Sequence, residues 1–466
     1  MTSKRVRPFV LALLLTVTAA AVAAAQTSPA TSPPAAAGRP TLTMARAVET
    51  ALASQPELRA RLYDYAAARW NVLSAFSPLL PQITGTVGTV RSHSTTLFTA
   101  PGTGVTTAVS VDRQLADTFS AQLSLSQLIF DFGQTKAATD AARKLAEVAR
   151  ENIEVQRLVV ALTVKEAYTN VLAAQRLIRV QEQALARNDL NLSVAKGFYD
   201  NGLQPQSAVS RAQVDVANAH LALVQARNAE RLARVALNTA MSVDLDTAAE
   251  IEDNLVYDSL SLDHRNLREE ALAKLPEYKQ SKLQADVADA QARGAARSFF
   301  PTVSATASRG AIRSSLNETW SVGVVMSWNL FDGGNLIAKY QMAQANVQAA
   351  QLRVRNEALN VLQSVEQAAI SVEQAQESIL VSRTAIAAAQ ETYELAQGRY
   401  EAGVGSILEL TDAQLAFTQA QNAEVQALSS FRIALYQLDR AIGRSPSSAA
   451  PDQSGATDPT KVSLTR

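Results

Sequence analysis

Apolar residues along this chain keep two periods, and each period predicts a different element. Through 335–397 they step by seven: Val347, Val354, Val361, Ala368 and Ala375 form one stripe, and Ala358, Val365, Val372, Ile379 and Ile386 another. A seven-residue step held over several heptads is the coiled-coil period. The segment holds no proline or glycine, and at 1.5 Å per residue it predicts a helix about 95 Å long. A second such segment, free of both breakers, fills 134–196. Shorter helices are expected at about 206–241 and 406–442, returning beside the long ones. The other period is two. Trp320, Val322, Val324, Met326 and Trp328 alternate with Ser321, Gly323, Val325 and Ser327. The same alternation marks Ile83, Gly85 and Val87, then Phe119, Ala121, Leu123 and Leu125, then Val303, Ala305 and Ala307. These read as four strands, at about 82–90, 118–129, 302–309 and 319–330, each with one apolar and one polar face. A Ser/Thr/Gly loop is expected over 91–117.

The two halves of the chain repeat one another. Phe130-Asp131-Phe132-Gly133 precedes the first long segment and Leu330-Phe331-Asp332-Gly333-Gly334 the second. Gly197, Tyr199 and Gly202 close the first; Gly398, Tyr400 and Gly403 close the second, at a constant offset of 201. Upstream, Pro56 and Pro81 match Pro276 and Pro301 at an offset of 220, so one loop is longer in the first copy. A self-similarity of this kind decides the architecture before any local reading. The domain organisation is a first repeat over 41–242, a linker or equatorial belt segment over 243–261 and a second repeat over 262–443. Each repeat runs helix, strand, strand, helix, helix. The opening helices span 41–77, capped by Thr41 or Thr43 and broken near Pro56, and 262–299.

Composition narrows the function. Lys4, Arg5 and Arg7 precede an apolar run and an Ala23-Ala24-Ala25 cleavage site, the pattern of a signal peptide over 1–25. A Pro/Ala/Ser/Thr-rich lead-in follows over 26–40, and a tail over 444–466 has the composition of disorder. Basic and acidic residues balance at 43 each, so no nucleic-acid partner is implied. There is no cysteine, and His93, His220 and His264 lie far apart. With no nucleophile elbow or phosphate loop either, no catalytic residue, metal or cofactor is expected, and the chain does not read as an enzyme.

Two readings fit the period-two segments. One is an amphipathic hairpin lying on a soluble core. The other is a set of transmembrane β-strands, apolar toward lipid and polar toward a lumen. In the second reading Trp320, Trp328 and Phe119 are interface aromatics in contact with outer-membrane lipid. Four strands cannot close a barrel, and open edges do not persist in lipid. Several chains would have to pool strands; three copies give twelve.

The duplicated unit, the Leu-Phe-Asp-Gly-Gly element and the two Tyr-x-x-Gly turns (Tyr199–Gly202 and Tyr400–Gly403) together resemble the TolC-type outer-membrane efflux proteins, also called outer membrane factors. The resemblance covers about residues 40 to 443. It implies a mainly α fold with β: a homotrimer with a twelve-stranded barrel in the outer membrane of a Gram-negative bacterium and a long periplasmic α-helical tunnel. It further implies a passive exit duct of a tripartite efflux pump or a type I secretion system, with a periplasmic adaptor and an inner-membrane transporter as partners. An adaptor-type coiled-coil binding protein is the alternative, but adaptors carry one hairpin flanked by β-domains.

The resemblance also assigns candidate sites. Glu409 and Asp412 match the acidic ring at the tunnel aperture, although Ser406-Ile407-Leu408-Glu409 is equally a capping box. Ala208 and Arg211 stand at the matching places of the first copy, which makes Arg211 a possible partner of the ring. Gly405 and Ser406 occupy the place where the family often has a basic latch. Tyr400 can hydrogen-bond across to the first hairpin near Asn201. Gly202, Leu203, Gly403 and Val404 form the tip turns and are candidates for adaptor contact, although the glycines equally serve as helix ends needing positive φ.

Overall fold

A computed structural model describes residues 41–99, 109–247, 249–312 and 317–444. The expected signal peptide over 1–25, the lead-in over 26–40 and the expected tail beyond Arg444 lie outside the described residues. The first repeat begins with β1 (Thr41–Leu42), α1 (Met44–Ser54) and α2 (Pro56–Phe76). The opening helix over 41–77, with its break near Pro56, is the pair α1 and α2, because Pro56 lacks the N–H that would continue α1 and instead starts α2 at its first position. Thr43 caps α1, its side chain accepting from the Arg46 N–H at 3.3 Å. There follow β2 (Gln82–Thr99), β3 (Val109–Phe130), α3 (Gln134–Asp200) and α4 (Gln206–Met241). The linker carries β4 (Glu250–Ile251). The second repeat holds α5 (His264–Lys274), α6 (Pro276–Arg297), β5 (Thr302–Ile312), β6 (Asn317–Ser327), α7 (Asn335–Glu401) and α8 (Ile407–Ala441). Pro276 divides α5 from α6 as Pro56 divides α1 from α2.

The long helices run past Gly197 and Gly398, ending at Asp200 and Glu401. Each of these glycines has helical neighbours on both sides, and the chain turns only at the next glycine, where φ is +72° in both copies. The expected loop over 91–117 is a second correction. β2 and β3 pair without interruption from Gln82↔Ser126 to Thr99↔Val109, so backbone pairing carries the hairpin well into that Ser/Thr-rich stretch. β6 ends at Ser327, which leaves Trp328 one residue past the strand.

The four strands form one antiparallel sheet in the order β2-β3-β5-β6. Its register lines up Ile83, Leu125, Ala307 and Val322 across all four strands. Val87, Leu123, Val324 and Met326 share that face, each more than half exposed. The opposite face carries Thr84, Ser124, Ser308 and Ser321, also in register. An apolar sheet face this open does not lie on a soluble core, and the amphipathic-hairpin reading fails on it. Trp320 marks one end of the apolar band, beside the Arg309–Glu318 ion pair at 3.1 Å. At the other end Phe130 meets Phe132 edge-on at 4.8 Å, Phe132 stacks on Phe300 at 5.1 Å, and Trp328 donates to the Phe299 carbonyl at 3.0 Å.

The helices pack as two antiparallel hairpins, α3 with α4 and α7 with α8, with α2 stacked against α3 and α6 against both α3 and α7. The main core lies midway along them, around Tyr168, Val164, Ile379 and Phe431. The linker crosses this level as a belt, and β4 pairs in parallel with β1. The buried Tyr168 hydroxyl lies 2.9 Å from the carbonyl oxygens of both Leu42 and Glu252, which pins that short ladder to α3. Burial pushes this phenol up to about 12. Arg176 and Arg179 of α3 hold Asp253 of the belt at 2.9 and 3.1 Å, and Arg432 of α8 donates to the Asn254 carbonyl at 2.9 Å. Arg444, just beyond α8, grips Glu270 of α5 through two nitrogens; with Lys274 it holds that carboxyl down at about 2.

Candidate functional site

Each long helix starts from the same device. Gly133 and Gly334 hold φ of +87° and +89° at the cap position, where a glycine has no side chain to satisfy the first N–H groups. The aspartate two residues earlier does it. Asp131 accepts from the N–H groups of Gly133 and Thr135 at 2.9 and 2.6 Å, and Asp332 from that of Leu336 at 2.9 Å. Burial alone would raise the Asp131 carboxyl, but the bonds from Thr135 and Gly133 outweigh it and hold it below its usual value. The Phe-Asp-x-Gly pattern is therefore a strand-to-helix joint. In the first copy Phe132 itself takes a positive φ of 53°, held by its ring stacking, where the second copy has Gly333.

The far ends of these helices carry the tip. Gly202 and Leu203 bond back to Tyr199 and Phe198 at 2.9 and 2.8 Å, and Gly403 and Val404 to Tyr400 and Arg399 at 3.0 Å each. This is the Schellman pattern in both copies, with the glycine at the left-handed position. Leu203 and Val404 follow it and stand 70% and 73% exposed, two unpartnered aliphatic side chains at the turns.

Behind the turns lies a separate small core of Tyr393, Ala396, Tyr400, Leu410, Ala413 and Phe417. Tyr400 is buried there, edge-on to Phe198 at 5.6 Å, and its hydroxyl donates to Gln204 Oε1 at 3.3 Å. Its partner in the first hairpin is thus Gln204, three residues beyond Asn201. Burial pushes its phenol up. Ser406 caps α8, its oxygen accepting from the Leu408 N–H at 3.1 Å. Glu409 does not complete a capping box; its carboxylate turns to Arg399 at 3.3 Å, across the turn. Gly405 cannot carry a latch, because a Cβ there would sit 2.8 Å from the Tyr400 nitrogen. The basic group of this tip is Arg399, on the other side of the glycine turn.

Asp412 is exposed and, among the described residues, has no ion-pair partner. Arg211 is likewise exposed and pairs with neither Glu409 nor Asp412, so the structure does not bring it to the acidic pair. The link from α4 to α8 is instead Thr411, donating to Asp215 at 3.1 Å. Farther from the tip the two hairpins meet through more polar contacts. Gln181 donates to Asn422 at 3.2 Å and Asn191 to Gln414 at 2.7 Å. Arg187 lies over the rings of Phe417 and Tyr393 with centroids 5.1 and 5.9 Å away. Sequence reading named none of these. One signal was present: Gln414 and Gln421 interrupt the apolar spacing that Leu410, Phe417 and Leu428 otherwise keep, and Gln414 is almost fully buried.

Among the described residues no His/Asp/Glu cluster is placed to hold a metal ion, and no helix is long and apolar enough to cross a membrane. A sheet with a bare apolar face, joined to duplicated helical hairpins, is an arrangement with known relatives. The family model described as "Outer membrane efflux protein" matches residues 47–243 and 267–444. The chain belongs to the outer membrane efflux protein family. Members of this family and their structural neighbours are channel proteins of the outer membrane with a periplasmic helical extension, and the fold is TolC-like. The alkaline protease secretion protein AprF of Pseudomonas aeruginosa is 27% identical over 308 residues, 63% of this chain and 62% of AprF. The pyoverdine export outer membrane protein OpmQ of the same organism is 25% identical, over 63% of this chain and 62% of OpmQ. The matched region thus spans less than two thirds of these relatives' own length. Among solved structures, the outer membrane protein VceC of Vibrio cholerae superposes with a TM-score of 0.70 at 21% identity, covering 86% of this chain and 96% of VceC. That likeness is one of fold.

Proposed function

We propose that three copies of this chain close one twelve-stranded barrel in the outer membrane, and that their helical hairpins enclose a passive exit duct. The observation that carries this reading is the open sheet. Among the described residues its two outer strands, β2 and β6, each have an edge with no partner, and its apolar face is bare. Unpaired strand edges are not tolerated in hydrocarbon, so the sheet calls for copies of itself, and three give an even-numbered barrel wide enough for water. The polar face then lines the lumen. The helical hairpins carry the duct into the periplasm, where Leu203 and Val404 at the tip offer a coiled-coil partner an apolar foothold. An adaptor fed by an inner-membrane transporter fits that role. Relatives named for protease secretion and for pyoverdine export leave both a type I secretion system and a small-molecule pump as assignments for the duct. Glu409 and Asp412, repeated around a threefold axis, form an acidic ring at the aperture that favours cations.

The test is single-channel recording of the purified protein in planar bilayers, with native mass spectrometry of the same sample. A trimer mass and small, cation-selective openings are expected, with selectivity reduced in the Glu409→Ala/Asp412→Ala double variant. A monomer mass, or no channel from wild-type protein, overturns the pooled barrel. Channels whose selectivity ignores the double substitution keep the duct and overturn the ring.

A further inference from the structure

The belt between the repeats ends at His264, the first residue of α5, and the duct reading makes no use of it. The half-buried imidazole lies between two carboxylates of α7: Nδ1 is 3.1 Å from Glu366 and Nε2 is 3.0 Å from Glu373. The two glutamates are one heptad apart and share a helix face. A histidine can donate to two carboxylates only when both ring nitrogens carry protons; the neutral ring must turn a lone pair toward one of them. Two other charged groups face the site, both from the α5 side. Asp263 caps α5, accepting from the Arg265 and Asn266 N–H groups at 3.1 and 3.3 Å. Arg268 donates to the His264 carbonyl at 3.0 Å and stands 4.0 Å from the second oxygen of Glu366. A neutral link runs alongside, from Gln376 of α7 to the Leu260 carbonyl at 3.2 Å.

We propose that His264 is an acid-fastened clasp, tying the end of the belt and the start of α5 to the long helix α7. In acid the ring is a cation held between two anions. As it loses its proton one contact becomes lone pair against carboxylate, and that side opens. The hydrogen bond to Glu373 is the main force raising the imidazole above its ordinary 6.5; partial burial opposes it, and the charges of Glu366 and Glu373 add to the rise. The folded protein therefore binds this proton more tightly than the unfolded chain does. The stabilisation is fully present below about pH 6.5 and is lost as pH climbs through the raised folded value. The belt's other anchors, Arg176, Arg179 and Arg432, involve no histidine. Alkaline pH thus loosens one end of the belt, leaving it one imidazole contact and the Gln376–Leu260 link, while the other end stays fastened to α3 and α8.

The direct test is an NMR titration of the His264 ring in the assembled protein in lipid nanodiscs, with His93 and His220 replaced by glutamine. A midpoint above 6.5 is expected, moving down in Glu373→Gln; a midpoint at or below 6.5 overturns the clasp. Hydrogen exchange over residues 260–274, corrected for intrinsic rates, supplies a second readout. Wild-type protection should fall several-fold from pH 6 to pH 8.5, and in His264→Gln it should be low at both. An equal pH dependence in the two proteins overturns the proposal.

Discussion

Arg399 and Glu409 face each other across the second glycine turn, and their pairing decides how much of the tip's negative charge is free. Both side chains are more than one-third exposed, so the pair adds little stability. Its effect is on the field. A guanidinium 3.3 Å from Glu409 cancels much of that carboxylate's charge beyond the pair, while Asp412, one turn on, has no such neighbour among the described residues. Asp412→Asn should therefore cost more cation preference than Glu409→Gln. Arg399→Ala should increase that preference, because it releases the Glu409 charge. Reversal potentials across a salt gradient order the three variants, and a decrease in Arg399→Ala would refute this division of labour. The sequence showed the acidic pair but not its counter-charge. Read by spacing, Ser406 and Glu409 make a capping box, and only half of it forms. The reason is competition: Arg399 offers Glu409 a full charge where the cap offers one N–H. Arg211, expected from repeat symmetry, fails because symmetry of the chain fixes position along a helix and not the partner across it.

Among the elements, the strand-to-helix joints hold the clearest link between motif and cause. Asp131 and Asp332 do the capping that Gly133 and Gly334 cannot, and both helices begin in the same place relative to them. Removing a capping side chain costs about 1 kcal/mol. Asp332→Ala should lose about that much, and Asp131→Ala about twice as much, since Asp131 is buried and accepts two N–H groups. Urea unfolding of the assembled protein followed by circular dichroism separates the two; equal losses would mean the buried bonds of Asp131 add nothing. These joints, the break at Pro56 and the two glycine turns were legible because each is local: proline, glycine and aspartate act within four residues. The helix expected over 262–299 is divided by Pro276 in the same way, a break that was not expected there. The belt was legible as a linker or small equatorial segment, but its anchors were not. Its contacts with Tyr168, Arg176 and Arg432 join positions far apart in the chain, and no period in the sequence marks them. The hairpin β2–β3 outran its expected length because backbone pairing continues where the apolar alternation stops.

At the scale of the whole molecule, duplication is what made the fold readable, since each weak motif counted twice at one fixed offset. On the proposed reading one chain holds only part of a membrane structure, and the sheet is where that reading is tested. Val324 sits at the centre of the apolar face, midway between Trp320 and Trp328, with its side chain 68% exposed. Ser321 lies on the opposite face, its hydroxyl 2.9 Å from that of Ser308. In water the two positions are alike, both open. In a barrel they are not, because one meets hydrocarbon and the other the lumen. A lysine at mid-bilayer on the lipid face costs about 2–4 kcal/mol per copy, and a trimer bears it three times. Val324→Lys should therefore reduce the amount of heat-modifiable trimer recovered from outer membranes. Ser321→Lys should assemble normally and shift the channel's selectivity toward anions. If both lysine variants assemble equally well, the alternation does not separate lipid from lumen, and the exposed face must be covered by protein instead.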